Sequence, residues 1–365
     1  MRRLSILHTE SSLGWGGQEI RILSESQGLI RRGHEVRLIC PPEARICAEA
    51  PAWGVPAVAL PIAKKRVAGL RALIEWWRDN RCDVVSTHSS TDSWLAALAL
   101  LTLGRPFPVV RTRHISAPVP RNPMTRWLYT RATARIVTAG ETLRRQLVER
   151  NRYPEGAIES VPTGMDAGRF RPGERAAARA RLGLAPDRAL VGIIATLRSW
   201  KGHRTLVEAM THLPETVELV MVGDGPQRGA LEKQVAQLGL GRRVRMPGNQ
   251  ADVLPWLRAL DVFALPSYAN EGVPQALVQA MLVGLPCVTT AIGGIPEIAQ
   301  HERTALVVPP QDARALGAAI TRLLGDEGLR RELGEAARKH CVEDYSYERM
   351  LDRMEEIYRN VARAR

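Results

Sequence analysis

The sequence is poor in cysteine, and its five cysteines are scattered along the chain. None forms a Cys-x-x-Cys pair, so neither a zinc cage nor a disulfide framework is predicted, and reduced thiols are expected. The five are Cys40, Cys47, Cys82, Cys287 and Cys341. The longest apolar run, residues 94–103, is about half of a membrane span. An earlier apolar run ends at His8, which is too short for the core of a signal peptide. From these absences we expect a cytoplasmic protein.

Acidic side chains are also fewer than basic ones. The 365 residues include 51 Lys and Arg against 38 Asp and Glu, a net charge of +13. Residues 1–170 carry 25 of the basic and 15 of the acidic side chains, so the excess lies mainly in the first half. Such a field indicates an anionic partner: a nucleic acid, a phosphorylated substrate or an acidic membrane face. With 45% apolar residues, the length predicts two globular domains and excludes intrinsic disorder.

Strand and helix patterns alternate from the start of the chain. An apolar run at 4–7, a glycine-rich turn at 14–17, a helical pattern at 18–32 and a second apolar run at 34–40 predict two parallel strands joined by a helix. Three more strands are predicted at 83–86, 109–112 and 136–139. The first half therefore has the pattern of an α/β domain.

Turn-forming residues are dense between 160 and 172, and the alternation restarts after them. We predict strands at 190–197, 217–222, 244–246, 262–265, 287–290 and 305–308, with the clearest helices at 274–283 and 313–324. The prediction is an α/β protein with two Rossmann-like domains facing a cleft. The domains are predicted at 1–170 and 171–345, followed by a C-terminal helix in 346–365 that is too polar to be buried all round.

In open α/β sheets ligands bind beyond the carboxyl ends of the strands, so polar residues at strand ends are candidates. The turn at Gly16 and Gly17 opens a helix and suits a phosphate, although its spacing is not that of a dinucleotide motif and a tight turn without a ligand is the alternative. Arg198 and Lys201 follow a strand and suit a pyrophosphate, with a solvated basic turn as the alternative.

The segment 265–298 holds the densest set of candidates. Glu271 follows a predicted strand and precedes a helix that starts near Pro274. Gln279 lies eight positions further along that helix. A carboxylate and an amide about two helical turns apart can each hydrogen-bond sugar hydroxyls.

Seven short motifs in this order resemble the family 4 retaining glycosyltransferases of the GT-B fold, over essentially the whole chain. They are Gly16-Gly17, Thr112-Arg113-His114, Thr163-Gly164-Met165-Asp166, Leu197 with Lys201-Gly202, Gly223-Asp224-Gly225-Pro226, Glu271-Gly272-Val273-Pro274 and Gly293-Gly294-Ile295-Pro296-Glu297. The sequence departs from the family pattern at three positions. Thr196 replaces an arginine, for which Arg198 is the expected substitute; Thr163 replaces an asparagine; and Gln279 replaces the second glutamate of E-x₇-E, which could alter the nucleotide preference.

The resemblance implies a nucleotide-sugar donor lodged against the second domain and an acceptor on the first. It implies catalytic roles for His114, which would line the reaction centre, and for Glu271, which would hold sugar hydroxyls. The donor-binding residues that it implies are Gly16, Gly17, Arg198, Lys201, Gly272, Val273 and Gln279. It also implies that the last helix packs back on the first domain. His88 matches a recurrent family position, for which we expect a structural role. No Asp-x-Asp occurs, so no metal and no other cofactor is expected.

Two stretches of the first half mix cations with aromatic residues, at 64–78 and 121–135. Such a surface can lie on anionic lipid, although solvated helix faces with tryptophan in the core are the alternative. Family members that act on lipid-linked acceptors carry such surfaces near the acceptor cleft. The resemblance therefore implies a lipid-linked or lipopolysaccharide-type saccharide acceptor, an anionic membrane surface as a further partner, and a peripheral place on the inner face of the cytoplasmic membrane.

Two other functions compete with this prediction. A sugar-nucleotide 2-epimerase shares the GT-B architecture but needs no acceptor. A nucleic-acid-binding protein would explain the charge, but no helix-turn-helix, zinc-finger or RNP-type motif occurs, and so no nucleic-acid partner is expected.

Overall fold

A computed structural model describes residues 2–105, 107–115 and 117–363. The chain forms two compact units. The first consists of Met1–Thr163 together with Glu348–Arg365, and the second is Gly164–Tyr347. The sequence predicts a boundary at residue 170, whereas the two units divide seven residues earlier, between Thr163 and Gly164.

The first unit contains a seven-stranded sheet in the order β3-β2-β1-β4-β5-β6-β7, with parallel pairing between neighbours. Its strands are β1 Ser5–Thr9, β2 Glu35–Cys40, β3 Ala57–Ala59, β4 Val84–Thr87, β5 Val109–Arg113, β6 Arg135–Thr138 and β7 Ile158–Ser160. Its helices are α1 Gly17–Arg31, α2 Arg45–Glu49, α3 Val67–Asp79, α4 Ser90–Thr102, α5 Pro123–Thr130 and α6 Glu141–Glu149. The central strands are buried because helices cover a parallel sheet on both faces, but they carry polar residues toward their carboxyl ends, including His8, Thr87 and Arg111.

The second unit contains a six-stranded parallel sheet in the order β10-β9-β8-β11-β12-β13. Its strands are β8 Ala189–Ile194, β9 Val217–Val222, β10 Val244–Gly248, β11 Val262–Leu265, β12 Cys287–Thr290 and β13 Leu306–Val308. Its helices are α7 Arg175–Leu182, α8 His203–Ala209, α9 Arg228–Gln237, α10 Leu254–Ala259, α11 Gln275–Leu282, α12 Ala313–Gly325 and α13 Glu327–Asp344. The predicted α/β class with two Rossmann-like domains is confirmed.

The last helix, α14 Tyr347–Arg363, packs against the first unit on one face only. Its buried side chains recur at helical spacing and include Met350, Met354 and Tyr358. Its polar face reaches Arg32, which lies within 2.6 Å of Glu348. The helix is therefore a component of the first unit's core and not a free extension.

Two strands were missed, and one strand was predicted too long. The strands β3 and β7 were missed because each has only three residues, too few to form a recognisable apolar period. The predicted strand 190–197 ends at Ile194 instead. Beyond it the backbone turns against the next connection, since a Cβ on Gly223 would lie 2.1 Å from the carbonyl oxygen of Ala195. None of the helices that the structure describes is both long and apolar enough to cross a bilayer.

Candidate functional site

Each sheet has one place where the strand order reverses, and there two neighbouring strands send their connections to opposite sides. In the first sheet it lies between β1 and β4, and in the second between β8 and β11. A crevice forms beyond the carboxyl ends of such a strand pair, which makes it the preferred ligand site of an open α/β sheet. Both places carry polar side chains in this protein.

In the second unit an ion pair occupies this place. Lys201 follows β8, and Glu271 follows β11. The Lys201 Nζ lies 2.8 Å from Oε1 and 2.9 Å from Oε2 of Glu271. The Ser267 hydroxyl donates to Oε1 at 2.6 Å. Glu271 is only 3% exposed, so these donors offset the cost of burying its charge. The lysine side chain, at 21% exposed, remains open to an anion.

Two glycines allow this close arrangement. Gly202 has φ +79°, and a Cβ there would lie 2.0 Å from the Pro266 carbonyl oxygen. Gly293 has φ +60°, and its Cβ would lie 2.1 Å from the carbonyl oxygen of Glu271. Larger residues at either position would push the two loops apart. Ser267 was missed as a site residue, although its position just after β11 is the signal that singled out Glu271.

The other predicted donor-binding residues of this unit make contacts of their own. The Gly272 backbone packs against Gly294, while the Val273 side chain is buried in the apolar core and leaves only its backbone for a ligand. Arg198 is exposed, with its guanidinium carbon 5.7 Å from the centre of the Trp200 ring. Gln279 is half-buried, and its amide lies 3.5 Å from the sulfur of Met165. The structure thus joins Lys201 to Glu271 and gives Arg198 and Gln279 other contacts.

A buried histidine stands next to Lys201. His203 is 2% exposed at the start of α8. Burial, together with the positive charge of Lys201, lowers its pKa from 6.5 to about 4. His203 is therefore neutral at pH 7. It adds no positive charge to that of Lys201 and Arg198, the two cations predicted at this turn.

In the first unit the corresponding place holds two buried carboxyl groups. Asp92 accepts hydrogen bonds from the Thr9 hydroxyl at 2.9 Å and from the backbone N–H of His88 at 2.9 Å and Ser89 at 2.8 Å. Burial raises the pKa of Asp92 to about 6. Glu10 accepts from the Ser89 hydroxyl, and its burial beside Asp92 raises its pKa to about 8. Glu10 and Asp92 were missed in the sequence because their partners come from separate strands.

A further acidic residue, Glu19, lies at the predicted phosphate turn. Gly16 precedes α1 in an extended conformation, and Gly17 is the first residue of that helix. Glu19, buried in the first turn, lies 3.9 Å from the Cβ position of Gly16. A carboxylate at a helix N-terminus interacts favourably with the helix dipole. A phosphate at Gly16-Gly17 would therefore compete with Glu19 for this end of the helix.

His114 ends a row of three histidines on neighbouring strands. Nδ1 of His8 lies 2.9 Å from Nε2 of His88, and Nδ1 of His88 lies 3.1 Å from Nε2 of His114. Burial lowers the pKa of all three, so their rings are neutral at pH 7. His88, for which a structural role was expected, joins His114 to the interior of the unit.

An open groove lies elsewhere on the first unit, between α3, α4 and α5. Its volume is about 690 Å³, and apolar atoms dominate its surface. The lining residues are Lys65, Arg66, Val67, Leu70, Trp94, Leu95, Leu98, Asn122, Pro123, Met124 and Thr125. Val67 and Met124 are 64% and 69% exposed. The fold thus brings the start of the predicted basic stretch 64–78 next to the start of the stretch 121–135.

Two family descriptions match consecutive parts of the chain. Residues 15–169 match "Glycosyltransferase Family 4", and residues 174–340 match "Glycosyl transferases group 1". The chain is 32% identical over 210 residues to a D-inositol 3-phosphate glycosyltransferase of Nocardia farcinica, covering 54% of this chain and 46% of that one.

It is also 32% identical to a GDP-mannose-dependent alpha-(1-6)-phosphatidylinositol monomannoside mannosyltransferase of Mycobacterium tuberculosis, covering 58% of each chain. The matches thus span about half the length of these curated relatives. Among solved structures, Anabaena Alr3699/HepE in complex with UDP-glucose superposes with a TM-score of 0.88 at 19% identity, over 98% of this chain and 100% of that one. At this identity the likeness concerns the fold alone.

Proposed function

We propose that this chain, which belongs to the glycosyltransferases described as family 4 and as group 1, transfers a sugar from a nucleotide-sugar donor to a saccharide acceptor with retention of configuration. The observation that carries the proposal is the pair formed by Lys201 and Glu271 at the strand-order reversal of the second sheet. It combines a cation for a phosphate with a carboxylate for sugar hydroxyls.

The difficult step is the departure of a nucleoside diphosphate from the anomeric carbon. Negative charge grows on the leaving phosphate, so a fixed cation stabilises the transition state more than the bound substrate. In our proposal the diphosphate takes Lys201 from Glu271, and Arg198 swings from Trp200 to add a second contact. Glu271 then accepts hydrogen bonds from the sugar. Since lysine supplies the positive charge, the proposed reaction needs no metal.

The first experiment is a thermal-shift panel with UDP-, GDP-, ADP- and CMP-sugars, because a ligand that binds only the folded state raises the melting temperature. One nucleotide should stabilise the wild type, and Lys201→Ala should reduce that shift. Arg204→Ala, an exposed change three residues further along, is the matched control. No shift with any of the nucleotides would contradict the proposal.

The second experiment separates transfer from epimerisation. The stabilising donor is incubated with and without envelope extract as a source of acceptor. We expect sugar transfer only when the extract is present. Conversion of the sugar nucleotide without an acceptor would identify a 2-epimerase instead.

For the acceptor we propose a lipid-linked or lipopolysaccharide-type saccharide, presented at an anionic membrane face. The groove between α3, α4 and α5 supports this proposal, since exposed Val67 and Met124 offer apolar contact beside the cations Lys65 and Arg66. None of the described lining residues is acidic. The name of the mannosyltransferase relative likewise includes a phosphatidylinositol glycolipid.

Vesicle sedimentation tests this surface. The protein should bind phosphatidylglycerol vesicles at low salt and bind phosphatidylcholine vesicles weakly, because exposed charges are screened by salt and need an anionic surface. Met124→Ser and Lys65→Glu should each weaken binding, whereas Lys233→Glu on α9 should not. Absence of binding at low salt, or binding that Met124→Ser leaves intact, would contradict a role for the groove.

A further inference from the structure

The row of histidines in the first unit crosses three neighbouring strands. His8 lies in β1, His88 follows β4 and His114 follows β5. The ring centres are 5.1 Å and 5.3 Å apart, close to the spacing of about 4.8 Å between strands of a sheet. The sheet itself therefore sets the two nitrogen–nitrogen contacts of 2.9 and 3.1 Å.

These contacts impose one direction on the whole row. A neutral imidazole has one N–H donor and one bare nitrogen acceptor. His8 and His88 are fully buried, and burial lowers the pKa of each ring in the row. If His8 donates to His88, then His88 must donate to His114; if the first contact is reversed, so is the second. The tautomer of His114 is thus tied to that of His8.

The inner end of the row fixes the direction. Nε2 of His8 has no hydrogen-bond partner within residues 2–105, 107–115 and 117–363. A buried backbone N–H without a partner is rarer in proteins than an under-satisfied backbone carbonyl, and we apply the same preference to the imidazole. The bare nitrogen of His8 is therefore Nε2, and its proton is on Nδ1, which faces His88. Following the contacts outward, His88 carries its proton on Nδ1, and so does His114.

The last helix packs against this inner end of the row. The Tyr358 ring stands edge-on to His8, with ring centres 6.2 Å apart. Its hydroxyl lies 2.7 Å from Oε1 of Glu25 and 3.0 Å from Oγ of Ser86, the residue paired with His8 across the strands. The Tyr358 hydroxyl is thus occupied by these two residues, which leaves Nε2 of His8 without a donor from this side.

We propose that His8 and His88 are positioning residues that hold His114 in its Nδ1–H tautomer. His114 then presents a hydrogen-bond donor to the reaction centre and does not act as a base. This inference rests on the proposed transferase function. It means that His114 donates a hydrogen bond to a substrate oxygen, which belongs to a sugar hydroxyl or a phosphate. It also gives a function to His8 and His88, both of which are buried.

Nuclear magnetic resonance tests the tautomer directly and needs no activity. In protein with ¹⁵N-labelled histidine at pH 7.5, long-range ¹H–¹⁵N spectra distinguish protonated from bare ring nitrogens. His114→Gln identifies the signals of His114. We expect Nδ1 of His114 to be protonated and Nε2 to be bare. The reverse pattern, or a mixture of the two tautomers, would overturn the proposal, even if sugar transfer is confirmed.

A matched pair of substitutions tests the positioning role. In His8→Asn an amide N–H can replace the Nδ1–H donor, whereas the longer side chain in His8→Gln places its amide near Nε2. We expect His8→Asn to keep the tautomer and the turnover, and His8→Gln to lower kcat about tenfold with little change in KM, the loss expected when one hydrogen bond is removed. Equal kcat values for two folded variants would show that His8 does not act through His114.

If no donor or acceptor supports turnover, the proposed function fails, and the spectra still decide the tautomer of His114. If turnover is found while the tautomer is mixed, only the positioning proposal fails. The two failures are therefore distinguishable.

Discussion

The two sheets reverse their strand order at corresponding places, yet the side chains there are of opposite kinds. The second unit has a charged pair, Lys201 and Glu271, whose lysine is open to solvent. The first unit has neutral histidines together with carboxyl groups whose pKa values burial has raised, Glu10 to about 8 and Asp92 to about 6. The same place in the fold thus offers a cation in one unit, and neutral imidazoles beside a protonated Glu10 and an ionised Asp92 at pH 7 in the other.

The difference suits the two halves of the proposed reaction. A leaving diphosphate carries charge and is stabilised by a fixed cation. A sugar hydroxyl is neutral and is oriented by hydrogen bonds, for which a neutral imidazole with a fixed tautomer is suited.

The largest effect is expected from the cation of the second unit. Lys201→Ala should lower kcat about 100- to 1,000-fold, the loss typical when one group that stabilises developing negative charge is removed. Lys201→Arg should recover part of the turnover. Steady-state kinetics on the donor found by thermal shift would measure both. Full turnover in the alanine variant would show that the charge of Lys201 does not stabilise the leaving phosphate.

The pH dependence of stability tests whether His203 is buried and neutral next to Lys201. The pKa of this histidine is about 4 in the folded protein, against 6.5 in the unfolded chain. Only the unfolded chain takes up this proton between pH 6.5 and pH 4, so the free energy of unfolding falls by about 3 kcal/mol as the pH drops through this window. His203→Asn should remove that fall, and exposed His212→Asn should not. Denaturant unfolding at several pH values measures it, and identical pH profiles for the wild type and His203→Asn would contradict a buried neutral His203.

The melting temperature of a Glu10 variant at several pH values tests whether the pKa of this carboxyl group is raised. The unfolded chain loses this proton near pH 4.5, whereas the folded chain keeps it up to about pH 8. The contribution of Glu10 to stability therefore falls as the pH rises from 4.5 to 8. Glu10→Gln should raise the melting temperature by about 5 °C above pH 8 and leave it unchanged near pH 4.5. Calorimetry with exposed Glu43→Gln as the control would detect this, and a variant that is less stable at pH 9 would refute it.

The smallest effects on stability are expected from two helix caps, one in each unit. Asn122 caps α5 through the N–H of Thr125, and Asp312 caps α12 through the N–H of Ala315. Replacing either cap with alanine should cost about 1 kcal/mol. Hydrogen exchange should show each loss only in the unit that carries the substitution. A loss that spreads to both units would mean that they unfold as one.

Much of the fold could be predicted because buried parallel strands are continuous apolar runs with clear ends. The strands 217–222, 262–265 and 287–290 were predicted with the bounds that the structure has. The short strands β3 and β7 were not, since three residues carry little pattern and pair only because neighbouring strands are already in place. Similarly, Lys201 and Glu271 were singled out by their place after strands, but their contact depends on β8 lying next to β11.

The α/β alternation, the two domains, the family and the chemical types at the strand ends can be recognised in the sequence, because these depend on local pattern and on residue identity. Which side chains meet depends on how the chain folds. His8, His88 and His114 are 80 and 26 residues apart in the chain. They form one row because the sheet order places β1, β4 and β5 side by side, and pairing between distant strands follows from burial and packing, which no local stretch of sequence encodes.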